Sequence, residues 1–338
     1  MTYTDVPVVT APHRVLVLCG PTGVGKTEVA VGLARKLRLE IISADSRQVY
    51  SWLDIGTAKP SLELRRELGI HMVDMVEPNR IYSAADFARD ALAVMRRLQR
   101  EGKRFMVAGG AGMYLKALFE PFFEAPKPDP ALRKRLEAET SLVLHDRLKQ
   151  VDPERAAKLH PNDRQRVMRA LEVYESTGKT MTELARKAEV KVEFEPVYAV
   201  LSMERELLHR RLDARFDAMM RSGLLDEVRR LKESGFGRDT YVANAYGYAE
   251  LLRHLDGELT LERAVAEAKA KTRAYAKRQL TWFRSLKDAH WFECRDLAEA
   301  VRLVEPLLKQ ALGSQWSLKS EFRSPNDDSI PNDQSRSG

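Results

Sequence analysis

Two groups of residues in this 338-residue chain have types and spacing suited to chemistry. The first is Gly20-Pro21-Thr22-Gly23-Val24-Gly25-Lys26-Thr27, which satisfies the pattern GxxxxGK[ST]. Glycines let backbone N–H groups converge on phosphate oxygens, and a helix opening at Lys26 turns its positive end to the same anion. Lys26 supplies a point charge, and the Thr27 hydroxyl suits a Mg2+ ion. The bland alternative is a glycine-rich turn. Here, however, the run follows an apolar strand and opens a helix, which is the context diphosphate binding requires. The second group, Asp45-Ser46-Arg47-Gln48, follows another apolar run. Asp45 reads as a metal ligand or general base, or else as a turn or helix-cap aspartate. Asp74, after His71-Met72-Val73, is a further carboxylate of this kind. The run 105–108 ends instead in Gly109-Gly110-Ala111-Gly112, so the Walker-B acid of phosphoryl-transfer P-loop proteins is not evident.

Strands and helices must bring these groups together. Residues 14–19 read as a buried strand, and a helical pattern runs from Lys26 through Val29, Leu33 and Leu37. A second strand at 40–43 leads to Asp45, residues 84–100 are helical, and 105–108 form a third strand. The alternation predicts an α/β fold: a P-loop NTPase-like core with a parallel sheet flanked by helices, and functional groups at the strands' carboxyl ends. Asp45 then lies beside the first strand's loop if those two strands are neighbours.

Pro121, Pro126, Pro128 and Pro130 break this rhythm, and helical patterns continue to about residue 195. Residues 196–201 return to the sheet. The expected division is 14–122 for the first part of the core, 123–195 for an all-helical insertion domain and 196–312 for the second part of the core. The tail 313–338, rich in Ser, Asn, Asp and Pro, is expected to be disordered. The second part of the core holds a short strand near 290–293, a helix over 296–312 and a basic helix over 271–286. On that helix Arg273, Lys277 and Arg284 share one face, opposite Tyr275, Trp282 and Leu286. The stripe suits nucleic-acid phosphates, or is an ordinary solvated face. Trp282, Phe283, Met219 and Met220 read as core.

A 44% hydrophobic fraction supports a real core, and 31% charged residues support a soluble surface. Lys and Arg number 56 against 49 Asp and Glu, an excess that favours an anionic partner where it clusters. Cys19 and Cys294 show no CxxC or Cys/His spacing, so neither a zinc module nor a disulfide framework is expected, and a reducing cytoplasm is. Residues 1–13 show no signal peptide, and the apolar run 15–18 is too short to cross a bilayer. No membrane partner is expected, and nothing demands more than a monomer.

Ser43-Ala44-Asp45-Ser46-Arg47-Gln48-Val49-Tyr50 and Asp54-Ile55-Gly56-Thr57-Ala58-Lys59-Pro60 resemble the tRNA dimethylallyltransferase (isopentenyltransferase) family. Tyr82-Ser83-Ala84-Ala85-Asp86-Phe87 extends the likeness. So do His160-Pro161-Asn162-Asp163, Gln165-Arg166-Val167-Met168-Arg169-Ala170-Leu171-Glu172 and Lys277-Arg278-Gln279-Leu280-Thr281-Trp282-Phe283-Arg284. The matches keep their order from about residue 14 to 293. The resemblance implies transfer of a dimethylallyl group from dimethylallyl diphosphate to N6 of adenosine 37, next to the anticodon, in tRNAs reading codons that begin with U. It implies Asp45 as the base, with the phosphate loop, Lys26, Mg2+ on Thr27 and an arginine from 211–216, preferably Arg215, on the leaving diphosphate. It implies tRNA contacts at Asp45, Ser46, Arg47, Gln48, Ala111, Arg133, Gln165, Arg166, Val167, Met168, Arg169, Lys277, Arg278, Gln279 and Arg284. One departure stands out: the family reads GGTG where this chain has Gly109-Gly110-Ala111-Gly112. Ala111 cannot give the threonine's hydrogen bond, so another group replaces it or activity is lower.

Other classes account for less. A P-loop small-molecule kinase needs the same core and Mg2+, but not a basic insertion. Prenyl transfer to a free adenine nucleotide needs neither the long insertion nor the basic helix. A non-catalytic RNA-binding module explains the charge but not the phosphate loop with Asp45.

Overall fold

The computed structural model describes residues 13–120, 126, 129–187, 193–238, 240 and 245–313. The expected tail from residue 314 on, together with Pro121 and Pro128, lies outside the described residues. Six strands form one parallel sheet: β1 (His13–Cys19), β2 (Glu40–Ala44), β3 (Ile70–His71), β4 (Phe105–Gly109), β5 (Phe194–Ser202) and β6 (His290–Glu293). Their spatial order is β3-β2-β4-β1-β5-β6. Along β1, Val15, Val17 and Cys19 pack into one core with Phe87, Leu115 and Phe283, whereas Leu16 and Leu18 enter another with Leu33 and Leu308. With helices on both faces, the strand is apolar throughout rather than alternating. β1 and β2 are not neighbours, contrary to the condition placed on Asp45: β4 lies between them, paired in parallel with each.

The helix Ala84–Arg100 starts and ends where its pattern predicts, because Ser83 and Asp86 form a reciprocal capping box at its start. Between β4 and β5 the described chain is helical, and Leu136, Leu144, Leu148, Val167, Met168 and Leu171 form a core separate from the two beside the sheet. Val167 and Met168 are 0% and 3% exposed, so their side chains belong to this helical core. They are the inward residues of the helix Arg164–Thr177, three and four positions before Leu171. Gln165 and Arg166 stand exposed on the same helix.

The basic helix also differs from its reading. It spans Leu261–Phe283, so Arg284 is its C-terminal cap and Leu286 lies beyond it. Arg273 is paired with Asp213 at 2.5 Å, which leaves Lys277 and Arg278 as the exposed cations of its last turns.

At the end of β4 a Cβ on Gly109 would collide with the carbonyl of Ala44 on the paired strand. Gly109→Ala should therefore destabilise the protein by about 1–3 kcal/mol, as overpacking does, seen as a lower urea midpoint at unchanged m-value.

Candidate active site

The carboxyl ends of β1, β2 and β4 open onto a cavity of about 660 Å³. Thr22, Gly23, Gly25, Lys26 and Thr27 form one end of it. Gly25 caps the helix Lys26–Leu37 in a left-handed conformation (φ 104°) with no side-chain cap, so the first-turn N–H groups are left for an anion. Lys26 Nζ donates to the Pro21 carbonyl at 2.8 Å. Burial lowers its pKa to about 8, with Asp45 drawing it back up and Arg215 pushing it down. A proton on this amine is thus weakly held until an anion arrives.

Asp45 follows β2 and lines the same cavity. Its Oδ1 accepts the N–H groups of Arg47 at 2.8 Å and Gln48 at 3.3 Å, while Oδ2 has no such bond among the described residues. The residue is therefore both a turn aspartate and a group that can take a proton. It shares the cavity with Lys26 and acts on it electrostatically, and a Cβ on Gly110, at the end of β4, would come within 3.4 Å of Lys26 Nζ. Asp74 does not join it: its carboxylate is committed to Lys59 at 2.5 Å and Arg65 at 2.6 Å, outside the cavity.

Two amides expected among the tRNA contacts also bond within the protein. Gln279 accepts from Thr22 N at 2.8 Å and donates to the Gly110 carbonyl at 2.8 Å, so it clamps the phosphate loop to the end of β4. Gln48 accepts from the Ser43 hydroxyl at 3.1 Å and donates to the carbonyls of Thr57 and Ala58 at 3.2 and 3.4 Å. Each residue is 7% exposed, with its amide bonded to protein groups at the edge of the cavity.

The opposite wall comes from the helices Arg205–Arg221 and Leu261–Phe283. Arg211, Arg215 and Met219, spaced four apart, form one stripe, and Thr272, Tyr275 and Gln279 another. Arg215 is partly buried, which lowers its pKa, while Glu28 and Asp45 support its charge. Arg211 stands beside the Gly25 end of the loop. Tyr246 and Tyr275 lie with ring centroids 5.2 Å apart, and exposed Arg278 donates to the Tyr246 hydroxyl at 2.6 Å. Ala111 lines the cavity and starts the helix Gly112–Phe119 with no side-chain cap.

A sequence profile of IPP transferases matches residues 48–286. The tRNA dimethylallyltransferase 1 of Citrifermentans bemidjiense is 43% identical over 83% of this chain and 92% of its own length. The tRNA dimethylallyltransferase of Pelotomaculum thermopropionicum is 41% identical over 87% and 95%. The chain belongs to the IPP transferase family.

The full-length tRNA isopentenylpyrophosphate transferase of Bacillus halodurans superposes with a TM-score of 0.67 at 35% identity, over 91% of this chain and 99% of that one. A eukaryotic dimethylallyltransferase solved acting on tRNA gives 0.73 at 31% identity, over 86% and 77%. The parallel sheet and its flanking helices thus follow the architecture of solved family members.

Of the residues expected at the reaction centre, Lys26, Asp45, Arg215 and, from the phosphate loop, Thr22, Gly23, Gly25 and Thr27 share one cavity, whereas Gly20, Pro21 and Val24 do not line it. Arg133, Gln165, Arg166 and Arg169 do not line it; they belong to the helical insertion. Arg211, in the segment from which the diphosphate arginine was expected, lines the cavity beside the preferred Arg215, and so does Met219, which reads as core in the sequence although it lies four residues from Arg215. Tyr275 was read only as the inner face of its helix. No group of three or more His, Cys, Asp or Glu side chains among the described residues is arranged to hold a metal. A Mg2+ ion bound through one hydroxyl and the phosphates it accompanies needs no such cluster, and Thr27 at the cavity fits that mode.

Because diphosphate favours the charged amine, its affinity should be strongest below about pH 8 and fall as the pH rises through that value. Calorimetry with inorganic diphosphate should show a loss of about tenfold or more above it. Lys26→Met should bind weakly at every pH without that decline.

Proposed function

We propose that the chain transfers a dimethylallyl group from dimethylallyl diphosphate to N6 of adenosine 37, next to the anticodon, in tRNAs reading codons that begin with U. The products are N6-(dimethylallyl)adenosine and diphosphate. The observation that carries this reading is an anion cradle and a carboxylate in one cavity, Lys26 facing Asp45 across a strand end of bare backbone. A phosphoryl-transfer site asks for an acid at that strand end, and Gly109 and Gly110 leave no space for one.

In the reaction the bond between the donor's C1 and its bridging oxygen breaks, and the electron pair leaves with diphosphate. The N6 lone pair forms the new C–N bond, and the N6 proton passes to Oδ2 of Asp45. Lys26, Arg211, Arg215 and the loop N–H groups meet the charge that grows on the leaving group. Mg2+ would be held by Thr27 and the diphosphate itself, and supplies further charge neutralisation. The adenine has to be drawn out of the anticodon loop to enter the cavity, where Tyr246 and Tyr275 offer aromatic walls. The proposed contacts to the RNA are Asp45, Ser46, Arg47, Gln48, Ala111 and Gln279 at the cavity, and Arg133, Gln165, Arg166, Val167, Met168, Arg169, Lys277, Arg278 and Arg284 outside it. We read the protein as acting in the cytoplasm as a monomer; among the described residues no helix is long and apolar enough to cross a membrane.

Labelled dimethylallyl diphosphate offered with undermodified tRNA, AMP or ATP, with and without Mg2+, tests the proposal. Label should enter tRNA; label in AMP alone, or phosphate transfer from ATP without prenyl transfer, would overturn it. Asp45→Asn keeps the Oδ1 acceptor of the turn and removes the base. It should slow turnover by about 10²–10⁴-fold at unchanged diphosphate affinity. Ala111→Thr adds the missing hydroxyl and an N-cap. It should raise the transfer rate and stabilise the helix Gly112–Phe119 by about 1 kcal/mol, read as turnover and thermal midpoint.

A further inference from the structure

One wall of the cavity is the loop 45–58, and a carboxylate that does not line the cavity holds its far side. Glu227, on the helix Leu224–Glu233, is 4% exposed. Its Oε2 accepts the N–H groups of Asp54 at 3.1 Å and Ile55 at 2.8 Å. Its Oε1 accepts the N–H of Gly56 at 3.2 Å and the hydroxyl of Tyr248 at 2.6 Å. Among the described residues this buried carboxylate has no cationic partner within ion-pair distance, so hydrogen bonds alone satisfy its charge. Burial, followed by the neighbouring Glu227 charge, raises the Tyr248 pKa well above its usual value and keeps the phenol a donor.

The loop has reason to need holding. Trp52 and Ala58 adopt positive φ (71° and 48°), conformations that cost a residue with a Cβ. Beyond the three N–H groups that Glu227 grips, Gly56, Thr57 and Ala58 line the cavity. The carbonyls of Thr57 and Ala58 accept from Gln48, whose own N–H is bound by Asp45 Oδ1 at 3.3 Å. Hydrogen bonds, joined by the short backbone stretch 56–58 and by Gln48 itself, thus link Glu227 to the base.

We propose that Glu227 is a positioning residue for prenyl transfer: it fixes the wall at 54–58, and through Gln48 the orientation of Asp45, for the incoming adenine. It touches neither substrate, and the inference rests on the function proposed above.

Glu227→Gln tests it, because an amide keeps the shape but has only one accepting atom, so at least one backbone N–H loses its partner. The variant should lose about tenfold or more in kcat/KM for undermodified tRNA, as small misplacements at reacting groups do. Its affinity for inorganic diphosphate should not change, since none of these bonds reaches residues 20–27. Amides 54–56 should exchange hydrogen faster than in the parent protein. Tyr248→Phe, which removes one donor of the four, should move each readout less and in the same direction, and it serves if the first variant folds poorly. Unchanged exchange at 54–56 would overturn the inference. So would a fall in diphosphate-binding stoichiometry with unchanged kcat/KM per binding site, the mark of a purely structural role. If the parent protein prenylates no RNA, the functional reading fails instead, and the exchange measurement still decides whether Glu227 holds the loop.

Discussion

The site depends on β4 ending in bare backbone. β4 runs between the strand that carries the phosphate loop and the strand that carries Asp45. Side chains at its end would collide with the neighbouring backbone or crowd Gln279 and Lys26. Gly109 is pressed against the Ala44 backbone, and a Cβ on Gly110 would come within 2.5 Å of the Gln279 nitrogen. Gln279 then completes the arrangement from above, accepting from the phosphate loop and donating to the Gly110 carbonyl. Three segments distant in sequence are locked together without a side chain entering the line from Lys26 to Asp45. Where a phosphoryl-transfer enzyme would place an acid for its metal, this fold leaves room for a reacting carbon and nitrogen.

Much of this was legible in the residues, for identifiable reasons. β1, β4 and the middle of β5 are short apolar runs because both faces of the sheet are covered, and glycine punctuates the ends of β1 and β4. Asp45 stood out because it follows an apolar run. The placing of β4 between β1 and β2 was not legible, since strand order is decided by contacts far apart in sequence. The burial of Val167 and Met168 was not legible, because a sequence motif is contiguous while a helix has an inside. Nor were the internal bonds of Gln48 and Gln279, because a polar side chain in a motif suggests a ligand, whereas a buried amide also bonds to the protein. Glu227 carries no local signal; its partners lie at 54–56 and 248, visible only once the chain is folded.

The insertion shows the same economy with charge. Glu172 is 1% exposed and lies 3.2 Å from Arg169 and 3.7 Å from Arg133, which come from two different helices. A charge this deep requires cationic company, so both guanidinium groups are tethered at one end. Arg169 is held further by the carbonyl of Pro126 at 2.5 Å, in the segment that leaves the core. A basic surface built this way is ordered before any nucleic acid arrives, and loses less side-chain freedom on binding than loose lysines would.

The pairing of β1 also bears on how the chain is made. β1 is in register with β5 along its whole length, from His13 opposite Phe194 to Cys19 opposite Val200. On a ribosome, β2 and β4 emerge early, but the second edge of the central strand stays open until the helical insertion has been synthesised. An apolar strand with an unpaired edge invites association with other chains. The insertion's separate core, built largely from contacts between nearby helices, can close quickly and on its own while that edge waits. The phosphate loop, first in sequence among the functional parts, therefore follows a strand whose second neighbour is among the last parts of the sheet to be synthesised.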